Sequence, residues 1–479
     1  MSYFKLSLKI SVLVGALCFL TSCTPSTSST PDYSPENKKA VSVTEDTYLQ
    51  TTNLEDTTPL LSPLPIESSF TYHNEVAISE ATLKRVSSTN GLVTIDKKSS
   101  YYDVTLDFER GSHYDVGKAY GEAILEVYPS FATIMEPYIY ENIYMAFPDL
   151  EGDFTPITAR LEAIMPTIEQ DYQEEIKGLA DSLATDTKGF IMDEKLSQEE
   201  VYLLQFIPDI LRGTQCSGLS VYGKTSKTGA PITIRLLEWP MGNASQMAYG
   251  HAVVHFKNGD KSLRSYGVLG LLQAISVQND QGVFAGILDS NTEMPFTIKG
   301  KTSYTFALRY ALENYDSAKA VGDYITNLGK QFTFSHNILL TDTTSSYVAE
   351  NCVGDVGVCA LRSADSTLSS SLEWHIPDSI CVVNGFALNE NYDNMTRTAH
   401  NMIRYKKFNT RLASYPQVDA NDLKDIVTVD APSRFGSNIY SNYAYQIIVI
   451  DSFNHTVDIA FAPPTKDLPA KPTFTRVEN

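Results

Sequence analysis

The chain changes character at Cys216. Upstream, from Tyr114 to about Tyr140, apolar residues recur every three or four positions: Val116, Ala119, Tyr120, Ala123, Ile124, Val127 and Tyr128. That period puts them on one face of a helix. Residues 155–187 and 197–211 read the same way, and EEIKGLADSLA carries Ile176, Leu179, Ala180 and Leu183 on one side. Only YYDVTLDFERG, before them, alternates like a strand. From Cys216 onward short apolar runs dominate: SGLSVYG, APITIRLLEW, YGHAVVHF, LRSYGVL, GVFAGIL, HNILLTD, SSYVAEN and YQIIVIDSFNHTVDIAFA. Gly, Asn, Asp and Ser punctuate them, as strand turns require. SYTFALRYALENY, SAKAVGDYITNLG, AHNMIRYKKFNTRLASY and ANDLKDIV read as helices among and after these strands. Two sets of strands with intervening helices predict an α+β fold of sheets layered with helices. There is no internal repeat.

The first residues set a different constraint. Lys5 and Lys9 precede an apolar run, Ile10 to Leu20, about half the length of a membrane span. The run ends in Leu20-Thr21-Ser22-Cys23, which resembles the bacterial lipobox, and a Ser/Thr/Pro tract follows. The resemblance implies a signal peptide over 1–22 and a lipid on Cys23, so that the protein is extracytoplasmic and anchored to a membrane it does not cross. Residues 23–100 are expected to be a tether without ordered structure; over 24–64 the composition is too polar to bury itself. The expected body is a mainly helical segment, 101–215, and a strand-rich domain, 216–479. The formal charge of -20 becomes -22 without residues 1–22, which argues against nucleic acid and anionic lipid as partners. The 43% hydrophobic content is ample for a large core.

Outside the cytosol disulfides persist. Cys352 and Cys359 bracket VGDVGV between two strand-like runs, a spacing that suits a hairpin-closing disulfide; with Cys381 they read as structural. No Cys/His spacing suggests a zinc site. Cys216 differs, because it leads a strand. It suits a core thiol, half of a disulfide, or a nucleophile. No G-x-S-x-G stands at a strand-to-helix turn to offer a serine instead. Any of eight histidines (His73, His113, His251, His255, His336, His375, His400, His455) could serve as a base for an internal cysteine. A second route needs none of them. Cutting the peptide bond before Cys216 gives that residue a free α-amine, with an unperturbed pKa of about 8, as its own base.

From about Tyr101 to Pro464 the chain resembles the penicillin acyltransferase-like family of N-terminal-nucleophile hydrolases. It is more distantly similar to choloylglycine hydrolases and acid ceramidase-like amidases. RGSHYDVGKAYG, residues 110–121, is similar to the family's RGSxYExGxxxG, and EEIKGLAD to its EExxGxA. Gln215-Cys216-Ser217 falls where the family is cut, although the family cuts most often after Gly. Arg235 and Glu238, in IRLLEW, resemble the Arg and acid of the return strand, with Glu in place of Asp. NDQGVFAGILDSN resembles NExGLxxxGxN and brings Asp289 and Asn291 to a pocket wall. SHNILLTD resembles xxNxLLAD, and CVVNGF resembles TNHF with Gly385 at the His.

The resemblance implies a four-layer αββα sandwich and autocleavage at Gln215–Cys216, with the two chains staying together. The enzyme would cleave or transfer the acyl group of a small N-acyl amide through a thioester on Cys216, with no cofactor. Arg235 would favour the thiolate, Glu238 would hold the α-amine, and Asn337 would donate to the oxyanion. Asn384 would support the site and Arg434 would face substrate. Two other readings stay open: a non-catalytic ligand-binding lipoprotein of the same fold, and a thiol hydrolase with an internal Cys216 and a histidine base.

Overall fold

A computed structural model describes residues 79–185, 188–211, 216–290, 301–396, 399–433, 438–465 and 467–478. Cys23, Gln215, Asn291 and Arg434, like the proposed signal and most of the tether, lie outside the described residues.

The described residues form two sheets. The larger has ten strands in the order β1-β2-β3-β6-β7-β8-β9-β10-β11-β12. These are β1 (Lys84–Ser87), β2 (Val93–Lys97), β3 (Tyr102–Asp107), β6 (His251–Lys257), β7 (Leu263–Val268), β8 (Ser276–Asn279), β9 (Phe284–Asp289), β10 (His336–Thr341), β11 (Ser346–Asn351) and β12 (Cys359–Arg362). The smaller has the order β13-β4-β5-β14-β15-β16. Its strands are β4 (Cys216–Val221), β5 (Ile232–Glu238), β13 (Ser379–Val382), β14 (Ala444–Asp451), β15 (Thr456–Phe461) and β16 (Thr475–Val477).

Side-chain alternation stacks these sheets face to face. Val253, Tyr266 and Phe284 of the large sheet share a core with Ile448, Ile450, Val457 and Ile459 of the small one. Helices cover both outer faces. α1 (His113–Val127) lies on the large sheet with α7 (Tyr304–Asn314) and α8 (Ala318–Leu328), and α4 (Gln170–Leu183) packs against α1. α9 (Ala399–Leu412) and α10 (Ala420–Thr428) pack on the small one, where Phe408, Leu412, Leu423 and Ile426 meet Ile232, Ile234 and Leu236. The order helix, sheet, sheet, helix is the expected αββα sandwich. α2 (Phe131–Ala146), α3 (Thr155–Ile164), α5 (Gln198–Gln205) and the single turn α6 (Ile207–Ile210) complete the N-terminal segment.

Two expectations need correction. The tether does not extend to residue 100, because β1 and β2 pair antiparallel with Val86 opposite Ile95. Val86, Val93 and Ile95 are all buried, and three such residues in short polar runs give little signal. The strand-like run at 101–111 forms β3, which pairs in parallel with β6, so the segment before Cys216 supplies three strands of the large sheet. The β11–β12 hairpin forms, but Cys352 and Cys359 are free thiols.

The two N-terminal motifs are packing motifs. A Cβ on Gly117 would stand 2.1 Å from the Glu175 carbonyl oxygen, and one on Gly178 would stand 2.1 Å from that of Tyr114. Only glycine lets α1 and α4 touch backbone to backbone. Between them Glu175 is buried, taking Arg309 at 2.5 Å and His113 Nδ1 at 2.7 Å.

Candidate active site

β4 runs antiparallel to β5, with Cys216 opposite Leu237 and Gly218 opposite Arg235. These four share the face that meets the large sheet. The sheets close tightly there: a Cβ on Gly218 would be 2.6 Å from Leu339 Cδ2, and one on Gly286 would be 2.5 Å from Arg235 Cδ and Nε. Arg235 therefore lies flat over the Gly286 backbone. Its Nη2 donates to the Ile287 carbonyl at 2.5 Å and stands 3.6 Å from Cys216 Sγ.

Cys216 is only 2% exposed and lines a small pocket. Leu237, Trp239, Ile275, Ile287, Pro208 and Tyr304 give it apolar walls; Asp289 and Thr305 supply polar ones. Burial pushes the Cys216 thiol up, and the Arg235 guanidinium opposes that shift. Burial likewise pulls Arg235 below the usual guanidinium range.

Asn384 follows β13 and reaches the backbone of Cys216. Its Oδ1 accepts the Cys216 N–H at 2.8 Å, and its Nδ2 donates to the Asp289 carbonyl at 2.7 Å. Arg404, on the buried stripe of α9 with Asn401, Tyr405 and Phe408, completes the arrangement. Its Nη2 donates to Asn384 Oδ1 at 2.9 Å and to Asn401 Oδ1 at 2.8 Å. Its Nη1 donates to the Cys216 carbonyl and to Glu238 Oε2, the latter at 3.1 Å. The other Glu238 oxygen accepts the Ser441 hydroxyl. Burial raises the Glu238 carboxyl, against the pull of Arg404 and Ser441.

The expected residues thus stand differently from one another. Arg235 adjoins the sulfur, and Asp289 lines the pocket. Glu238 reaches Cys216 through Arg404, while Asn384 Oδ1 holds the Cys216 N–H. Residues three apart in a strand point to opposite faces, so Arg235 faces the other sheet and Glu238 faces α9. Asn337 also departs from expectation. Its Nδ2 donates to the Val383 and Gly385 carbonyls at 3.1 and 3.0 Å, so both N–H groups are occupied in this arrangement. It braces the turn that carries Asn384. Arg404 and Ser441 are not among the residues that the sequence singles out. The available clue was polar: Asn401 and Arg404 fall on the stripe that Tyr405, Phe408 and Leu412 mark as inward.

No histidine is among the hydrogen-bond partners of Cys216 within the described residues. His336, next to Asn337, bonds through both ring nitrogens, to the Phe334 carbonyl and to Asn351. Burial lowers it to about 4, which leaves it neutral.

No family model matches the chain, and no curated protein matches it in sequence. Solved structures are similar to it over part of its length, three of them as follows. An N-acylethanolamine-hydrolyzing acid amidase ortholog from Caenorhabditis elegans is 11% identical and has a TM-score of 0.35, covering 50% of this chain and 96% of its own. Penicillin V acylase from Agrobacterium tumefaciens is 13% identical with a TM-score of 0.31, covering 55% and 86%. A mutant conjugated bile acid hydrolase from Clostridium perfringens is 12% identical with a TM-score of 0.34, covering 55% and 92%. Scores this low carry no argument about activity, and the functional reading rests on the site.

Proposed function

We propose that this protein is an exported cysteine amide hydrolase or acyltransferase that becomes active when Gln215–Cys216 is cut. The observation that carries the reading is a strand-leading thiol at an apolar pocket, 3.6 Å from a buried guanidinium, with its own backbone nitrogen held by a side-chain amide.

The Cys216 sulfur first attacks the Gln215 carbonyl, and the peptide bond becomes a thioester. Water hydrolyses it, leaving Gln215 as a carboxylate and Cys216 with a free thiol and α-amine. Asn384 Oδ1 keeps that amine oriented beside the sulfur. The amine takes the thiol proton, and Arg235 stabilises the thiolate. The sulfur attacks the carbonyl of an N-acyl amide seated in the pocket, and the Asn384 amide meets the oxyanion. The amine of Cys216 returns the proton to the leaving nitrogen, and water or a second amine resolves the acyl thioester. Asn337 and Arg404 are positioning residues, the first beneath Asn384 and the second between Asn384, Glu238 and Cys216.

The three N-terminal strands in the large sheet support the two chains remaining together after the cut. Attachment to a membrane through a lipid on Cys23 is part of the same proposal. The absence of a histidine partner among the described residues favours the α-amine over a histidine base. A thiol-directed acylating probe tests the reading: mass spectrometry should find the label on Cys216 in the wild type and none in Cys216→Ala. Labelling only of Cys352, Cys359 or Cys381 would overturn it.

A further inference from the structure

The pocket beside Cys216 is lopsided in charge. Among the described residues that line it, Asp289 alone has a charged side chain. The other polar groups of the wall are engaged within the protein. Trp239 Nε1 donates to the Tyr138 hydroxyl at 2.5 Å, the Tyr304 hydroxyl to the Pro208 carbonyl at 3.1 Å, and the Thr305 hydroxyl to Asp209 Oδ2 at 3.0 Å. Arg235 does not line the pocket; it reaches Cys216 Sγ from between the sheets.

The strand puts the Asp289 side chain on the pocket side. Asp289 pairs with His336 across β9 and β10. Cross-strand partners point to one face, and the His336 ring stacks at 4.4 Å on Tyr304, a pocket residue. Gly286, on the opposite phase of β9, faces Arg235 and the other sheet. The same strand sets the reach from the sulfur. The Ile287 carbonyl takes the Arg235 Nη2 that stands 3.6 Å from Cys216 Sγ. Asp289 lies two residues further on, about 7 Å along the strand. Its backbone is fixed there, because Asn384 Nδ2 holds the Asp289 carbonyl at 2.7 Å while Oδ1 of the same amide holds the Cys216 N–H.

We propose that the acyl group this protein takes is short and cationic, with a terminal ammonium held by the Asp289 carboxylate. The proposal rests on the acyl-thioester reading above and names its substrate class. A carboxylate has two oxygens and about four acceptor sites, so it accepts a ligand's N–H groups beside any donor from the protein. The Trp239 and Tyr304 rings suit an ammonium better than aliphatic walls do. An anionic acyl group would meet a like charge in an otherwise apolar pocket, where little water screens it. The formal charge of -20 draws cations toward the protein as a whole. The reach of about 7 Å sets the chain length, roughly two or three carbons between the acyl carbonyl and the ammonium.

The test uses the p-nitroanilides of β-alanine, butanoic acid and succinic acid, which are close in size and differ in charge at the far end. On the whole protein, kcat/KM for the β-alanyl compound should exceed that for the butanoyl compound by roughly tenfold or more, the worth of one charge-assisted hydrogen bond, and the succinyl compound should be slowest. Asp289→Asn keeps the shape and removes the charge, and should bring the β-alanyl to butanoyl ratio to about one. Binding is read without turnover: at equal concentration and ionic strength, β-alaninamide should raise Tm above butanamide in the wild type and not in Asp289→Asn. Equal kcat/KM for the three anilides, a preference for the neutral or anionic one, or a preference that survives in Asp289→Asn would overturn the proposal. If no anilide is cleaved, the hydrolase reading fails, and the Tm comparison decides this proposal separately: a rise with β-alaninamide alone upholds the ammonium site, and equal Tm with the two amides overturns it.

Discussion

Asn384 Oδ1 accepts the backbone N–H of Cys216 at 2.8 Å, across 168 residues of sequence. The same oxygen accepts Arg404 Nη2, so one side-chain amide ties the head of β4 to α9. Asn384→Ala should therefore leave the fold intact and impair the chemistry. We expect kcat for amide cleavage to fall by roughly 10²–10³ with the far-UV spectrum unchanged, because an orienting and oxyanion-binding amide is lost. Steady-state kinetics beside circular dichroism would check this.

Arg404→Ala should act on stability first. It leaves the Glu238 carboxylate buried without its cation, a loss on the order of 3–5 kcal/mol in urea denaturation. Glu238→Gln keeps an acceptor oxygen for Arg404 and can donate its Nε2 to the Ser441 oxygen instead, and should cost less. If the two residues act as a pair, the double variant Arg404→Ala/Glu238→Gln should be less destabilised than the sum of the single ones.

Gly286→Ala probes the contact between the sheets. Its Cβ would collide with Cδ and Nε of Arg235, and the neighbour is a packed strand with little room to move. Destabilisation of about 1–3 kcal/mol is expected. Displacing the guanidinium from Cys216 should also move thiol alkylation to higher pH, which a loss of stability alone would not do.

Asp209, on α6, gives a pH signature. Its carboxylate accepts the hydroxyls of Ser303, Thr305 and Thr333 and the Tyr304 N–H, yet burial outweighs them and raises it to about 6. The folded state thus holds this proton more tightly than the unfolded chain. The resulting stability is present below about pH 4 and is lost as pH rises through 6. Wild-type stability should fall relative to Asp209→Asn across that window, by on the order of 3 kcal/mol, and the difference should be flat above about pH 7. Urea midpoints at a series of pH values would show the slope.

Much of this architecture is legible in sequence. The switch of period at Cys216 marks where helices give way to the β4–β5 pair, and the helical runs at 304–314, 318–328, 399–412 and 420–428 form where their apolar spacing puts them. What escaped has physical causes. β1 and β2 carry three buried residues in polar surroundings, too few to stand out. The spacing of Arg235 and Glu238 looked like a shared site, but a strand sends an odd step to the opposite face. Asn384 and Arg404 reach Cys216 from 168 and 188 residues away, and no local pattern encodes such a contact. The glycines of the N-terminal motifs were visible, and their reason, the backbone contact of α1 and α4, emerged only in the fold.

The central claim is that Cys216 becomes an N-terminal nucleophile. The most direct measurement is the intact mass and N-terminal sequence of the purified, denatured mature protein beside its Cys216→Ala variant. The account predicts two chains in the wild type, the second beginning Cys216-Ser217-Gly218, and one unbroken chain in the variant. An unbroken wild-type chain, or a cut at another bond, would contradict it.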